Sequence, residues 1–244
     1  MLKSKIKQTN FAILWLMIFT SCFDSKINQS FQVEYKGALK NIMHKGDLSA
    51  KVDLSEFSTL ENFYALGAVE NLKGEIQIFD SKPYVSFVEK NILKFDTSYS
   101  KRATLLVYAT VKDWVSIKLP DNLTSGKELE SYIQKVAFEN KIDTKQPFPF
   151  RIEGKLKEVH WHVINWKDGD QEHSHSKHVS SGLNGGIENI DVELLGFYSN
   201  SHHSIFTHHT TNMHMHVKLQ DGKIAGHVDE LELGENMVLS LPKN

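Results

Sequence analysis

The chain has 244 residues, of which 40% are hydrophobic and 24% charged, a composition that supports a folded core and excludes a disordered or collagen-like protein. Its formal net charge is −2, so no bulk positive charge attracts nucleic acid, and we expect no nucleic-acid partner. The one cysteine excludes a disulfide framework and a cysteine-based zinc finger, whereas a content of 13 histidines is unusual.

The N-terminal segment has the order of regions found in a secretory signal. A basic start with three lysines precedes an apolar run at 11–19, which is too short to span a bilayer. Thr20 and Ser21 then precede Cys22, and this order resembles a bacterial lipobox. We predict a lipoprotein-type signal peptide over 1–21 and a polar tether over 22–34, with a plain cleavable signal as the alternative. The protein is then expected to be exported and attached to a bacterial membrane, periplasmic or at the cell surface, through a lipid on Cys22.

Hydrophobic periodicity predicts many strands and few helices. Ser125 and Glu128 form a capping box, and apolar residues recur at helical spacing after it, so a helix is predicted over 126–140. Two prolines at 146–149 predict a hinge between two domains. The other expected elements are a short helix at 38–44, an apolar strand-like stretch at 63–78, strands at 83–88, 103–111, 115–119, 151–165 and 191–198, a polar loop at 166–186 and a hairpin at 213–233.

The fold class that follows is α/β of the α+β kind, with two mixed, strand-rich sheet halves. The hinge places an N-terminal mixed-sheet domain at 35–148 and a C-terminal metal-binding β domain at 149–244.

The C-terminal hairpin predicts a metal site. Asp221-Gly222 between two alternating runs is a strong signal for a two-residue type I′ turn, and this register places His216 directly opposite His227. His214 lies on the same face as His216, because strand side chains alternate. Opposed residues have Cβ atoms about 4.5–5.5 Å apart. Three imidazoles with a vacant fourth position are typical of a catalytic zinc site, and a solvated histidine face is the alternative.

Other residues near these histidines have weaker signals. Asp229, expected opposite His214, is a candidate to orient that ring, with an ordinary strand-end acid as the alternative. His160 and His162 form a second His-x-His pattern, for which we predict a structural role because no local rule supplies a third ligand. The tract 173–178 is predicted as a solvated loop, with loose metal binding as the alternative. His202, His203, His208 and His209 are expected to line the mouth of the pocket.

Seven segments resemble the α-acetolactate decarboxylase family, over roughly residues 35–233. The three histidines are the most specific part of the resemblance. The segments are GDL at 46–48, ALG at 65–67, LKGEI at 72–76, RIEG at 151–154, LLGFYS at 194–199, HMH at 214–216 and AGHVDELEL at 225–233.

The resemblance implies a carboxy-lyase with a two-domain α/β fold of mixed sheets. It implies decarboxylation of 2-acetolactate, or of a closely similar 2-hydroxy-3-keto acid, to acetoin and CO2. Zinc, or another divalent metal, would be bound by His214, His216 and His227. Arg151 would hold the departing carboxylate, and Glu75 would accept or relay a proton.

The chain is identified as a short, exported member of the family, and it departs from the family's pattern in lacking the C-terminal segment that brings a further glutamate to the family's site. The expected partner is the small-molecule substrate, and a homodimer is compatible with the sequence. A second hypothesis is a non-catalytic lipoprotein derived from the same scaffold that binds metal or a small carboxylate. A third is a metal scavenger that uses the loop at 173–178.

Overall fold

The computed structural model describes residues 29–244, so the predicted signal peptide, Cys22 and most of the tether lie outside the described residues. The strands are β1 (Val33–Lys36), β2 (Val52–Asp53), β3 (Phe63–Val69), β4 (Glu75–Phe79), β5 (Lys82–Pro83), β6 (Val85–Glu89), β7 (Ile92–Asp96), β8 (Arg102–Thr110), β9 (Trp114–Lys118), β10 (Phe148–Val163), β11 (Leu183–Tyr198), β12 (Met213–Leu219), β13 (Ala225–Glu232) and β14 (Val238–Pro242). The helices are α1 (Leu39–Lys45), α2 (Gly126–Glu139) and α3 (His175–Ser180). In residues 29–244 no helix is long and apolar enough to cross a bilayer.

The strands form two sheets, which confirms the predicted strand-rich class with few helices. The first sheet has the order β1-β8-β3-β4-β6-β7, with β2 on β8 and β5 on β4. The second has the order β11-β12-β13-β10-β14-β9. The strand pairs of the described chain are antiparallel, so the prediction that each sheet is mixed in direction is wrong. Parallel pairing needs a long crossover, and α2, the longest helix within residues 29–244, joins two strands that are not neighbours.

Four strands of the second sheet close on themselves. β10 pairs with β11 along one edge, while its other edge pairs first with β14 and then with β13. Because β11 also pairs with β12, and β12 with β13, the pairings β10–β11–β12–β13–β10 form a ring. Gly196 of β11 leaves room for the ring of its partner Phe150 on β10, since a Cβ there would lie 2.2 Å from that ring.

A shared apolar cluster joins the two sheets. It contains Tyr64 and Leu66 from β3 and Leu195 and Phe197 from β11. The division into domains at residue 148 stays a prediction, although β9, which precedes that point in the chain, belongs to the second sheet. The consequence for function is that side chains on the facing surfaces of the two sheets meet in a buried layer.

The helix α2 and the hairpin form where the sequence predicts them, but the predicted loop at 166–186 is too long. Ser125 caps α2 through its reciprocal contacts with Glu128. The predicted loop instead contains α3, and β11 begins at Leu183. The sequence of early β11 is polar and rich in glycine, so periodicity does not reveal it. The strand forms there because it pairs with β10 as far as Val163. The strand β1 also takes up the last two residues of the predicted tether, Val33 and Glu34.

Candidate metal centre

The hairpin of β12 and β13 has the predicted register. His216 is opposite His227, and the backbone N–H of Leu219 donates to the carbonyl of Ile224 at 2.9 Å. The predicted type I′ turn is wrong, because that turn needs positive φ at both central residues and here only Gly222, at +71°, has it. The Asp221 carboxylate instead accepts the backbone N–H of Lys223 at 3.0 Å. The register is nevertheless the predicted one, because the observed loop is also centred between Asp221 and Gly222.

The three predicted ligand histidines lie together. Their nearest ring nitrogens all fall within 4.8 Å of one another, and Nε2 of His214 is 3.2 Å from Nε2 of His216. The ring centroids of His214 and His216 lie 5.0 and 5.4 Å, respectively, from that of His227. Burial lowers the pKa of His214 to about 3 and the pKa of His216 well below its usual value, so both rings are neutral at physiological pH.

A divalent cation suits this group of nitrogens. The Nδ1–H of His216 donates to the Oε1 atom of Gln77 at 3.0 Å, so the Nε2 atom of His216 carries a free lone pair. Nδ1 of His214 is buried without a hydrogen-bond partner in the described part of the chain. The Nε2 atoms of His214 and His216, 3.2 Å apart, are close enough to be ligands of one cation with bonds of about 2.0–2.1 Å.

Glu75 lies beside the three histidines, on the facing strand β4. Its side chain is buried, with the residue 5% exposed. One carboxylate oxygen is 3.7 Å from Nε2 of His216, and the other accepts the backbone N–H of Ile164 at 3.3 Å. Burial raises the pKa of Glu75 to about 7. The structure therefore brings the predicted glutamate and the predicted ligands into one site.

Arg151 lies away from this site and does not line its cavity. Its guanidinium pairs with Glu153 and, at 3.1 Å, with Glu193. It also lies over the rings of Trp114 and Tyr64, 5.6 and 5.9 Å from their centroids. Arg151 is paired with Leu195 of β11, and Leu195 is paired with His216 of β12, so one strand separates Arg151 from His216. The two acidic neighbours occupy the guanidinium.

His162 lies at the site, although the sequence predicts only a structural role for it. It is buried, and its ring centroid lies 4.9 Å from that of His227. Its Nδ1–H donates to both carboxylate oxygens of Asp229, each at 2.9 Å. Burial lowers the pKa of His162, but the hydrogen bond that the ring donates to Asp229 and the charge of Glu75 raise it above its usual value.

Asp229 therefore orients His162 and not, as predicted, His214. The register of β10 and β13 shifts between His160 and Trp161, which pair with Glu230 and Val228. Asp229 is left as the extra residue of this bulge, and its side chain bonds to His162 of β10. Alternation along β10 assigns His162 to one of the two faces of the strand. Only the pairing of β10 with β13, which is remote in sequence, shows that this face carries the site.

A cavity of about 70 Å³ opens beside the histidines. It holds space for a few water-sized groups. No lysine or arginine is among the described residues that line it. These residues are Leu39, Ile42, Gly67, Ala68, Leu72, Glu75, Leu105, His162, Ile164, His175, His178, Phe206, His208, His214 and His227.

Three of the lining histidines come from segments predicted as a loop or a pocket mouth. His175 and His208 have ring centroids 5.0 Å apart. His178 is held by a 3.0 Å contact between its Nε2 atom and the Nδ1 atom of His173, whose ring stacks on Trp166. The tract at 173–178 is therefore partly a short helix that contributes to the cavity, and it is not simply a solvated loop.

Solved structures share the two-sheet architecture. The crystal structure of alpha-acetolactate decarboxylase from Bacillus subtilis strain 168 matches with a TM-score of 0.68 and 16% identity, covering 87% of this chain and 86% of that one. A Staphylococcus aureus protein of unknown function, described as similar to alpha-acetolactate decarboxylase, matches with a TM-score of 0.66 and 14% identity, covering 87% and 85%. These likenesses define the fold class.

The family follows from the sequence. The model of the alpha-acetolactate decarboxylase family matches residues 32–243, and this chain belongs to that family. The match confirms the resemblance found in the sequence, and it supports a carboxy-lyase of the acetolactate decarboxylase type. Among curated proteins, none matches the chain.

Proposed function

We propose that this protein is a metal-dependent carboxy-lyase that converts 2-acetolactate, or a closely similar 2-hydroxy-3-keto acid, into acetoin and CO2. The observation that carries the proposal is the group formed by His214, His216 and His227, with Glu75 against it, in a chain of the acetolactate decarboxylase family. Zinc is the proposed metal, because three imidazoles and an open position suit it, and another divalent transition metal is the alternative.

The reaction breaks the bond between the carboxylate and the hydroxyl-bearing carbon. The electron pair of that bond passes to the neighbouring ketone as CO2 leaves, and a proton is then added to the carbon that lost CO2. A divalent cation held by the three imidazoles supplies a Lewis acid for the ketone oxygen that takes up this charge.

Glu75 is the proposed proton-transfer group. Its pKa of about 7, which results from burial, allows it to hold a proton and to release one near neutral pH. Ile164 fixes one of its oxygens through a backbone N–H, at 3.3 Å, so the carboxyl group has a defined position beside the cavity. We assign no part in the reaction to Arg151, since its guanidinium is occupied by Glu153 and Glu193.

The test is acetoin formation from 2-acetolactate by the purified protein, with metal content measured on the same sample. We expect His216→Ala to lose both bound metal and acetoin formation. The control is His160→Ala, a half-exposed histidine on neighbouring β10 whose Nε2 contacts Glu158 at 2.8 Å; it should retain both. Stoichiometric metal without turnover in the wild-type protein would support the alternative, a non-catalytic metal- or carboxylate-binding protein.

We also propose that the protein is exported and attached to a bacterial membrane through a lipid on Cys22. The support is the sequence pattern of residues 1–22. Expression with a radiolabelled fatty acid tests this: label and membrane recovery should be lost together in Cys22→Ser. Equal membrane recovery of both forms without label would contradict the anchor.

A further inference from the structure

The cavity beside the histidines also has an apolar side, which comes from a small cluster of buried side chains. This cluster is separate from the one that joins the two sheets, and its members are Ile42, Leu72, Leu105, Ile164 and Trp166. Four of them line the cavity and are called the apolar wall below: Ile42 of α1, Leu72, Leu105 of β8 and Ile164. The cavity therefore combines an apolar surface with the imidazoles and the carboxyl group of Glu75.

The apolar wall is tied directly to the proposed proton-transfer group. The backbone N–H of Ile164 donates to the carboxylate of Glu75 at 3.3 Å, and Leu72 precedes Glu75 by three residues in the chain. A 2-hydroxy-3-keto acid has the same two kinds of surface, since its carboxylate, hydroxyl and ketone are polar and its alkyl groups are apolar. Because burial of apolar surface is favourable, the wall suits the alkyl groups of such an acid.

Leu72 is held in a backbone conformation that leucine rarely adopts. The φ angles of Asn71 and Leu72 are +60° and +51°, in the left-handed region that is unfavourable for residues other than glycine. The carbonyl of Leu72 accepts the backbone N–H of Trp166 at 2.9 Å, and the carbonyl of Leu48 accepts that of Asn71 at 2.9 Å. Strain of this kind persists where the surrounding structure imposes it, and it is concentrated at functional sites. Glycine would fit this backbone without strain, so what leucine adds is a side chain that lines the cavity.

We propose that the apolar wall receives the alkyl groups of the substrate and that Leu72 limits their length. This inference rests on the proposed function and adds a substrate class to it, namely 2-hydroxy-3-keto acids with short alkyl groups. The cavity of about 70 Å³ holds a few water-sized groups, so a longer alkyl group has to displace a side chain of the wall. For one methylene, a hydrophobic pocket discriminates about 10- to 200-fold.

The test measures kcat/KM for 2-acetolactate and for two series of homologues. Ethyl or propyl replaces the methyl group on the hydroxyl-bearing carbon in one series and the methyl group on the ketone in the other, and release of CO2 is the assay for all of them. In wild-type protein, kcat/KM should fall about 10- to 200-fold at the first length that the wall rejects. In Leu72→Ala, most of that loss should be recovered in at least one series.

Two further variants and a control separate selection by the wall from a general loss of stability. Leu72→Gly removes the same side chain and relieves the left-handed strain, so it should show the same shift. Ile42→Ala opens the wall from α1 and should also favour longer homologues. The control is Leu129→Ala, which removes a buried leucine of α2 that does not line the cavity, and it should keep the wild-type order of substrates. Circular dichroism verifies the folding of each variant.

The outcomes distinguish this inference from the proposed function. An unchanged order of substrates in the folded wall variants would overturn the inference alone, and so would wild-type protein that accepts all lengths equally. Loss of every turnover in folded Leu72→Ala and Leu72→Gly would also overturn it, because a side chain that only limits length is not needed for the shortest substrate. Equal shifts in Leu129→Ala and Leu72→Ala would contradict selection by the wall. Wild-type protein that releases CO2 from none of the acids overturns the proposed function together with the inference.

Discussion

At the scale of single residues, Gln77 determines which nitrogen of His216 is available to a metal. The Oε1 atom of Gln77 accepts the Nδ1–H of His216, and its own amide donates to the backbone carbonyl of Tyr84. The amide therefore cannot turn over without losing both bonds. The Nε2 atom of His216 is held toward His214 and Glu75 by a residue of the other sheet.

We expect Gln77→Leu to weaken metal binding about 10- to 100-fold while leaving the ligands in place, because the partner that orients His216 is lost. Competition with a coloured zinc chelator measures the affinity. Gln220→Leu, at an exposed position of the hairpin loop, is the control and should bind like the wild-type protein. Unchanged affinity in Gln77→Leu would show that packing alone orients the ring.

Arg151 gives a second prediction at this scale. Because its guanidinium contacts Glu193 and lies over Trp114, we expect Arg151→Gln to lower the free energy of unfolding by about 1–2 kcal/mol. The KM and kcat for 2-acetolactate should stay at wild-type values, since the side chain does not line the cavity. Urea unfolding and steady-state kinetics measure the two effects. A large rise in KM would instead restore the role first predicted for this arginine.

The difference between Arg151 and the three histidines shows what the sequence can predict. The register of His216 and His227 depends on a hairpin whose turn lies a few residues away, so local rules are sufficient. The positions of His162 and Arg151 depend on which strands lie beside β10, and these strands come from distant parts of the chain. The bulge that turns Asp229 toward His162 has no local signal either. Strand content and α2 follow from periodicity, whereas the ring of four strands does not.

At the scale of elements, α2 holds the chain that enters the histidine strand. Glu130 accepts hydrogen bonds from the hydroxyl of Thr211 at 2.6 Å and from the backbone and side-chain N–H groups of Asn212 at 3.0 and 2.7 Å. The strand β12 begins at the next residue, Met213. The helix thereby fixes the start of β12, the strand that carries His214 and His216.

We expect Glu130→Ala to lower the free energy of unfolding by about 1.5–3 kcal/mol, because hydrogen bonds to a charged group are lost. It should also weaken metal binding, since the start of β12 is released. Glu139→Ala, at an exposed position of the same helix whose carboxylate is 3.9 Å from Lys135, should change both quantities little. Loss of stability without any change in metal affinity would show that β12 is fixed by its own pairing with β11 and β13.

At the scale of the whole molecule, the candidate metal centre is built across the two sheets. The proposed ligands are on β12 and β13, whereas Gln77 and Glu75, which contact His216, are on β4 of the first sheet. A bound cation therefore stabilises the contact between the sheets as well as the hairpin, and ligand binding to the folded state alone raises stability by mass action.

Removal of metal should accordingly destabilise the folded protein. At free zinc about 100 times the Kd, binding contributes about 2.7 kcal/mol, so a chelator should lower the Tm measurably. The Tm of His216→Ala should not respond to zinc or to chelator, while His160→Ala should respond like the wild-type protein. Differential scanning calorimetry measures this. A single transition that moves as a whole with zinc would show that the two sheets unfold together, as their shared apolar cluster requires. If only part of the transition moved, the cation would stabilise the hairpin without stabilising the contact between the sheets.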